Sequence, residues 1–399
     1  FLLITKSLNN TFYTLLFSSI GHALMHMFAA FYFVIVLTIE KEWNISYDQL
    51  IRLWSLGALL IGLGAIPFGW LSDKWSRSGT MTIMFIGMGL ASILCGLSTS
   101  VSFLFFSLSL LGLFCSIYHP VGIPWVIHAA NKQGRALGVN GIFGGVGIGS
   151  GAFVAGTLTE LLNWQLAFIL PGLISIIIGF ILIYLILIDK ISYKNYFIKN
   201  DDQDHSRNEM ILIALIMLLS MFALGLSFHN TQTALPKVFE IRIGNTSSIQ
   251  IGFMIAIIYF ISGATTFVGG LLADRFNLKT IYLIGIFLQF PCYLGIAYIS
   301  GYSLVVLCIL AAVFNASILP TENLLLGKFT PQKYHGVVYG IKFILAFGSG
   351  PISVFLISEI YSITLEFTYL FLINAIMMAI VSIFMAVSYT HLRAHETET

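Results

Sequence analysis

Long apolar stretches follow one another through nearly the whole chain, parted by only a few polar residues at a time. The strict alternation of a half-buried strand is absent. Runs of about 20 residues match the hydrocarbon thickness of a bilayer crossed by a helix. The pattern predicts twelve spans, at 12–39, 47–69, 79–97, 101–127, 136–160, 164–188, 209–235, 247–270, 279–299, 303–327, 336–358 and 366–387. Two connections are longer than a turn: the loop 40–46 and the polar segment 189–208. The second falls at mid-chain and reads as a cytoplasmic linker between an N-terminal six-helix bundle (1–188) and a C-terminal one (209–387). The tail 388–399 turns abruptly polar and reads as non-native, so His391 and His395 are given no role. The chain opens on Phe1 without a signal-peptide pattern, and both natural termini are expected to be incomplete.

Composition narrows the class. Of 399 residues, 58% are hydrophobic and 9% charged, against about 25% charged in soluble domains. A soluble domain, a disordered chain and a nucleic-acid binder are excluded together; the net charge of +2 implies no charged partner. Cys95, Cys115, Cys292 and Cys308 each lie within an apolar run and read as small hydrophobes. Lysines and arginines set the orientation: with the N-terminus cytoplasmic, thirteen fall in inner loops and four in outer loops. The expectation is therefore a multi-pass protein of the bacterial inner (plasma) membrane, with both termini cytoplasmic.

The two halves repeat. Gly69-Trp70-Leu71-Ser72-Asp73-Lys74 follows the second span, and Gly270-Leu271-Leu272-Ala273-Asp274-Arg275 the eighth. Pro120 in span four has its counterpart in Pro320 of span ten. A parallel repeat of this kind implies two related lobes with a substrate site near the midplane.

The loops 69–77 (GWLSDKWSR) and 270–279 (GLLADRFNLK) resemble the two copies of the signature loop of the major facilitator superfamily (MFS). The resemblance implies an all-α membrane protein of 12 transmembrane helices, with two six-helix bundles related by pseudo-two-fold symmetry. It also implies a gating role for Gly69, Asp73, Lys74, Arg77, Gly270, Asp274 and Arg275, with Asp73 working against span eleven and Asp274 against span five. GHALMHMFAAFYF (21–33) and SIYHPVG (116–122) are similar to the fosmidomycin-resistance-like branch, whose members are mostly proton-driven exporters.

Ionisable residues inside the spans are the functional candidates. His22 and His26 stand i, i+4 on span one and share a face, His22 roughly 15 Å deep by the helical rise. They read as proton or substrate contacts, or as hydrogen-bonding groups to a neighbouring helix. Such a pair is also a metal-ligand spacing, but no third ligand is visible nearby in the sequence, so no metal is expected. His119, beside Pro120, reads equally as a substrate contact or a kink-stabilising group. His229 and Gln232, in the polar run 229–233 of span seven, are expected to face a vestibule. Glu322 and Lys342 are the carboxylate and the cation inside spans ten and eleven, at similar depth, and are expected to pair. That pair is either structural or opens when Glu322 protonates or an anion takes Lys342. Span five carries Gly141, Gly144, Gly145, Gly147, Gly149 and Gly151, a close-packing surface.

These readings converge on a monomeric secondary active transporter moving a small organic anion or drug-like solute by alternating access. Protons are the expected coupling partner, with no cofactor and no enzymatic activity, since Walker, HExxH and G-x-S-x-G motifs are absent. A sodium-coupled or passive uniporter is the alternative, and a non-transporting membrane sensor a remote one.

Overall fold

The computed structural model of the chain describes residues 2–130, 133–193, 208–328 and 335–397. Every regular element among them is helical. In chain order they are α1 (Leu2–Trp43), α2 (Tyr47–Ile51), α3 (Ser55–Lys74), α4 (Arg77–Gly96), α5 (Val101–Cys115), α6 (Tyr118–Ala129), α7 (Gln133–Leu161), α8 (Trp164–Leu187), α9 (Asn208–Ile243), α10 (Ser248–Ala273), α11 (Leu278–Tyr298), α12 (Ser303–Ser317), α13 (Leu319–Lys328), α14 (His335–Thr364) and α15 (Thr368–Thr397). Eleven stretches among the described residues are long and apolar enough to cross a membrane. The 36-residue α9 stands where the seventh span is predicted.

The turns are legible in the caps. Ser76, Ser100, Asn163 and Asn277 each accept a backbone N–H from the first turn of the helix that follows, as short polar residues do at an N-cap. Two crossing stretches are broken midway. Span four divides into α5 and α6 around Ser116 and Ile117, and span ten into α12 and α13 at Ile318. Pro120 and Pro320 lack the N–H that would have bonded back to residues 116 and 316, so the ladder fails there.

Two compact units emerge. The first gathers Phe1–Lys199 and Asn245–Gly263; the second gathers Asn200–Gly244 and Ala264–Thr399. Within the first unit, residues 248–263 of α10 pack on α7. The reason is a close approach: a Cβ on Gly145 would lie 2.5 Å from the Gly263 Cα, so glycine on both sides lets the backbones meet.

In the first unit α4 packs on α8, and hydroxyls stitch the pair. Ser92 Oγ donates to the Phe168 carbonyl and Ser175 Oγ to the Phe85 carbonyl, each at 2.7 Å. Phe28, Phe31, Phe85, Trp164 and Phe168 are fully buried around this seam. Conversely Leu173, Ile174, Ile177, Phe180 and Ile181 of α8 are exposed. An apolar face of that extent suits acyl chains, not water. The start of the mid-chain segment is tied to the α3–α4 turn: Ser76 Oγ donates to the Tyr193 carbonyl and Ser78 Oγ to that of Ser192. Residues 194–207 of the expected linker lie outside the described residues, as do Lys132 and Lys333.

In the second unit α9 packs on α14 and α11 on α15. Asn230 Nδ2 donates to Asn374 Oδ1 at 2.8 Å, and Asn315 Nδ2 to Gln289 Oε1 at 3.3 Å. At the end of α9, Arg242 forms an ion pair with Glu366 and donates to the Ile296 carbonyl. Burial pushes the Glu366 carboxyl up, but the Arg242 hydrogen bond and charge outweigh it and hold the group below the usual carboxylate range.

Candidate functional site

Among the described residues, each unit holds a buried cluster of chemistry-bearing groups. In the first, the helical spacing sets His22 above His26 on α1, with ring centroids 5.0 Å apart. The break before α6 turns His119 towards them, and its ring centroid lies 5.5 Å from each. One ligand-capable nitrogen from each of the three rings falls within 4.8 Å of the others. Tyr118 stacks on His22 at 4.5 Å and 13°. Asn140 of α7 closes the cluster. Its carbonyl oxygen is 2.8 Å from His22 Nδ1, its Oδ1 accepts from Tyr118 OH at 2.8 Å, and its Nδ2 donates to Ser18 Oγ at 3.2 Å. Ser18 in turn donates to the Gly122 carbonyl at 3.0 Å. Gly144 gives room for the imidazole: a Cβ there would stand 2.9 Å from His22 Nε2.

In the second unit the cluster is charged. Lys342 Nζ lies 2.7 Å from Glu322 Oε1, with both side chains at least nine-tenths buried. Tyr282 OH donates to Glu322 Oε2 at 3.2 Å, and Lys342 Nζ donates to Asn323 Oδ1 at 2.5 Å. Ser220 Oγ is within 2.8 Å of Tyr282 OH. Glu322 thus has a donor on each oxygen, the arrangement a buried carboxylate requires. His229 of α9 packs its ring against Phe228 and hydrogen-bonds the Ala346 backbone. Gln232 is buried, as are Asn230, Thr231 and Thr233. Thr231 satisfies its hydroxyl on the Ser227 carbonyl at 2.7 Å.

The two loop copies differ. Arg77 donates to Asp73 at 3.0 Å across the α3–α4 turn, with Arg77 buried and Asp73 exposed. In the second copy the position four residues after Asp274 is Leu278, an apolar residue, with Lys279 one step further on. Asp274 and Arg275 are exposed and, among the described residues, form no ion pair of that kind. Lys74 is exposed, and Gly69 and Gly270 are partly so.

Sequence reasoning paired His22 with His26 and Glu322 with Lys342, but it missed Asn140, Tyr118, Tyr282 and Asn323. Asn140 carried a signal, a lone carboxamide among the glycines of span five. It also missed that His119 supplies a third imidazole. The expectation of no metal rested on the lack of such a third group.

Comparison with known proteins follows the same lines. The Major Facilitator Superfamily family model matches residues 18–341 and 210–399. The riboflavin transporter RibZ of Clostridioides difficile (strain 630) is 29% identical over 147 residues, 36% of this chain and 32% of that protein. An uncharacterised transporter of Buchnera aphidicola subsp. Schizaphis graminum (strain Sg) is 24% identical over 245 residues, 59% of this chain and 57% of that protein. The puromycin resistance protein pur8 of Streptomyces alboniger is 29% identical over 119 residues, 29% of this chain and 24% of that protein. The matches span between a quarter and three fifths of these curated relatives. Among solved structures, a bacterial homologue of the human lysosomal transporter Spinster superposes with a TM-score of 0.69 at 14% identity, covering 95% of each chain. At that identity the likeness speaks for the fold.

Proposed function

Because the chain belongs to the major facilitator superfamily and is a multi-pass solute transporter, not an enzyme, we propose that it is a secondary active carrier. It moves a small organic anion or drug-like solute by alternating access, coupled to protons. The observation that carries this reading is the Lys342–Glu322 pair at 2.7 Å, capped by Tyr282. A buried ion pair contributes little net stability, since desolvation consumes most of the attraction. What it supplies is a two-position device. Protonation of Glu322 releases the ammonium of Lys342 to an anionic cargo; loss of the proton restores the pair and expels the cargo. The names of two relatives, one a riboflavin transporter and one a puromycin resistance protein, support an organic cargo.

His22, His26, His119, His229 and Gln232 then serve as cargo or proton contacts. Gly69, Asp73, Lys74, Arg77, Gly270, Asp274 and Arg275 form the gating loops. The protein works as a monomer in a bacterial plasma membrane with both termini cytoplasmic.

The test is flux in proteoliposomes under an imposed pH gradient, with riboflavin, puromycin and a panel of small organic anions as probes. Flux that follows the pH gradient and collapses with a protonophore supports the reading. Flux indifferent to protonophore, or driven by sodium alone, replaces it with the uniporter or sodium-coupled alternative.

A further inference from the structure

We propose that His22, His26 and His119 form a binding site for a divalent transition-metal ion of the Zn2+ type. The site goes beyond the carrier reading and does not depend on it, because occupancy is read without flux. The geometry is the first argument. Nitrogens around a tetrahedral zinc stand roughly 3.3 Å apart, given Zn–N bonds of about 2.0–2.1 Å. The three ligand atoms here already lie within 4.8 Å of one another, so modest side-chain rotations close the tripod. Two ligands come from one helix at i, i+4 and the third from the turn that Pro120 frees, so the triad holds two independent elements together.

The surrounding shell is the second argument. A metal-bound histidine hands its other ring N–H to a carbonyl or carboxylate, which fixes the tautomer and aims the ligand nitrogen. His22 has that partner: Nδ1 is 2.8 Å from the Asn140 carbonyl oxygen. With Nδ1–H donating there, Nε2 carries the lone pair. Asn140 is itself clamped by Tyr118 and Ser18. Glycine at 144 keeps the Nε2 side of the ring clear of a side chain.

The donor set selects the ion. Three imidazoles with no carboxylate in the group suit Zn2+, Co2+ or Ni2+ and disfavour Mg2+ and Ca2+, which require oxygen ligands. His22 is buried and His26 and His119 are only partly exposed, and both His119 ring nitrogens are shielded from solvent, so a bound ion would be held away from bulk water. Three protein ligands leave a fourth position open for water or for a donor atom of the cargo.

The experiment uses the full chain in detergent, purified without a polyhistidine tag. Zn2+ is titrated calorimetrically, and Co2+ by its visible absorption. The expected result is one ion per chain and the intense bands of a tetrahedral Co2+ complex. His26→Gln and His119→Gln keep a polar side chain but lose the ligand. Each should weaken binding by at least tenfold, while His128→Ala at the far end of α6 leaves it unchanged. Binding that is equally tight in the His26→Gln/His119→Gln double variant marks an adventitious ion only and overturns the site. X-ray absorption at the zinc edge of the wild-type complex needs no variant. Three imidazoles in the metal's coordination shell support the proposal, and a shell of oxygens contradicts it.

Discussion

The two buried clusters solve the same problem by opposite means. In the first unit the cluster holds no carboxylate, lysine or arginine: His22, Tyr118, Ser18 and Asn140 share hydrogen bonds, with the rings of His26 and His119 beside them. In the second, full opposite charges meet at 2.7 Å with Tyr282 and Asn323 as satellites. A hydrogen-bond network loses one partner at a time when it is cut. A buried ion pair that loses a partner leaves a naked charge behind. The difference teaches where each unit tolerates change and where it is equipped to switch.

The sharpest way to break that comparison is Lys342→Met, which strands Glu322. It should lower unfolding stability by about 3–5 kcal/mol, seen as a large drop in Tm. Adding Glu322→Gln should recover most of that loss, because the stranded charge is gone. The corresponding cut in the first unit, Asn140→Leu, removes the acceptor of Tyr118 and the donor to Ser18. It should cost about 1–3 kcal/mol, again by Tm, and the backbone carbonyl facing His22 remains. A smaller effect lies at the Arg242–Glu366 pair outside the spans. Glu366 titrates lower in the folded chain than in the unfolded one. Its contribution is therefore present above the ordinary carboxylate range and is lost as pH falls through the depressed value. Thermal unfolding followed downward in pH should show that loss, and Glu366→Gln should flatten it; added salt should shrink it, since the carboxylate is a third exposed. Smallest of all is Asp73→Asn. Its partner is buried but the carboxylate is exposed, so stability should change by about 0–1 kcal/mol. A clear change in transport with so small a change in Tm would point to gating.

How much of this was legible follows from the range of each signal. The helices, the matching prolines Pro120 and Pro320 and the Glu322–Lys342 pair came from local or counting arguments: apolar length, a repeat between the halves, and a cation facing a carboxylate in spans ten and eleven. The i, i+4 pair His22–His26 is likewise a property of one helix. His119 and Asn140 were not placed because they lie far from His22 along the chain, Asn140 by 118 residues, and only helix packing brings α6 and α7 to α1. The polar run 230–233 was read as facing a vestibule, since polar groups avoid lipid. In the structure residues 230–233 are buried, and Asn230 meets Asn374 of α15, a partner that the sequence does not advertise. The packing of α10 on α7, where Gly145 meets Gly263, was also out of reach of the sequence.

The most direct measurement compares wild type with Glu322→Gln in two assays of one cargo in proteoliposomes: flux driven by a pH gradient, and exchange at equal pH on both sides. The account predicts that the variant keeps exchange and loses gradient-driven accumulation, since it can still cycle loaded but no longer carries the proton. Accumulation that remains fully driven by the gradient in Glu322→Gln would contradict it.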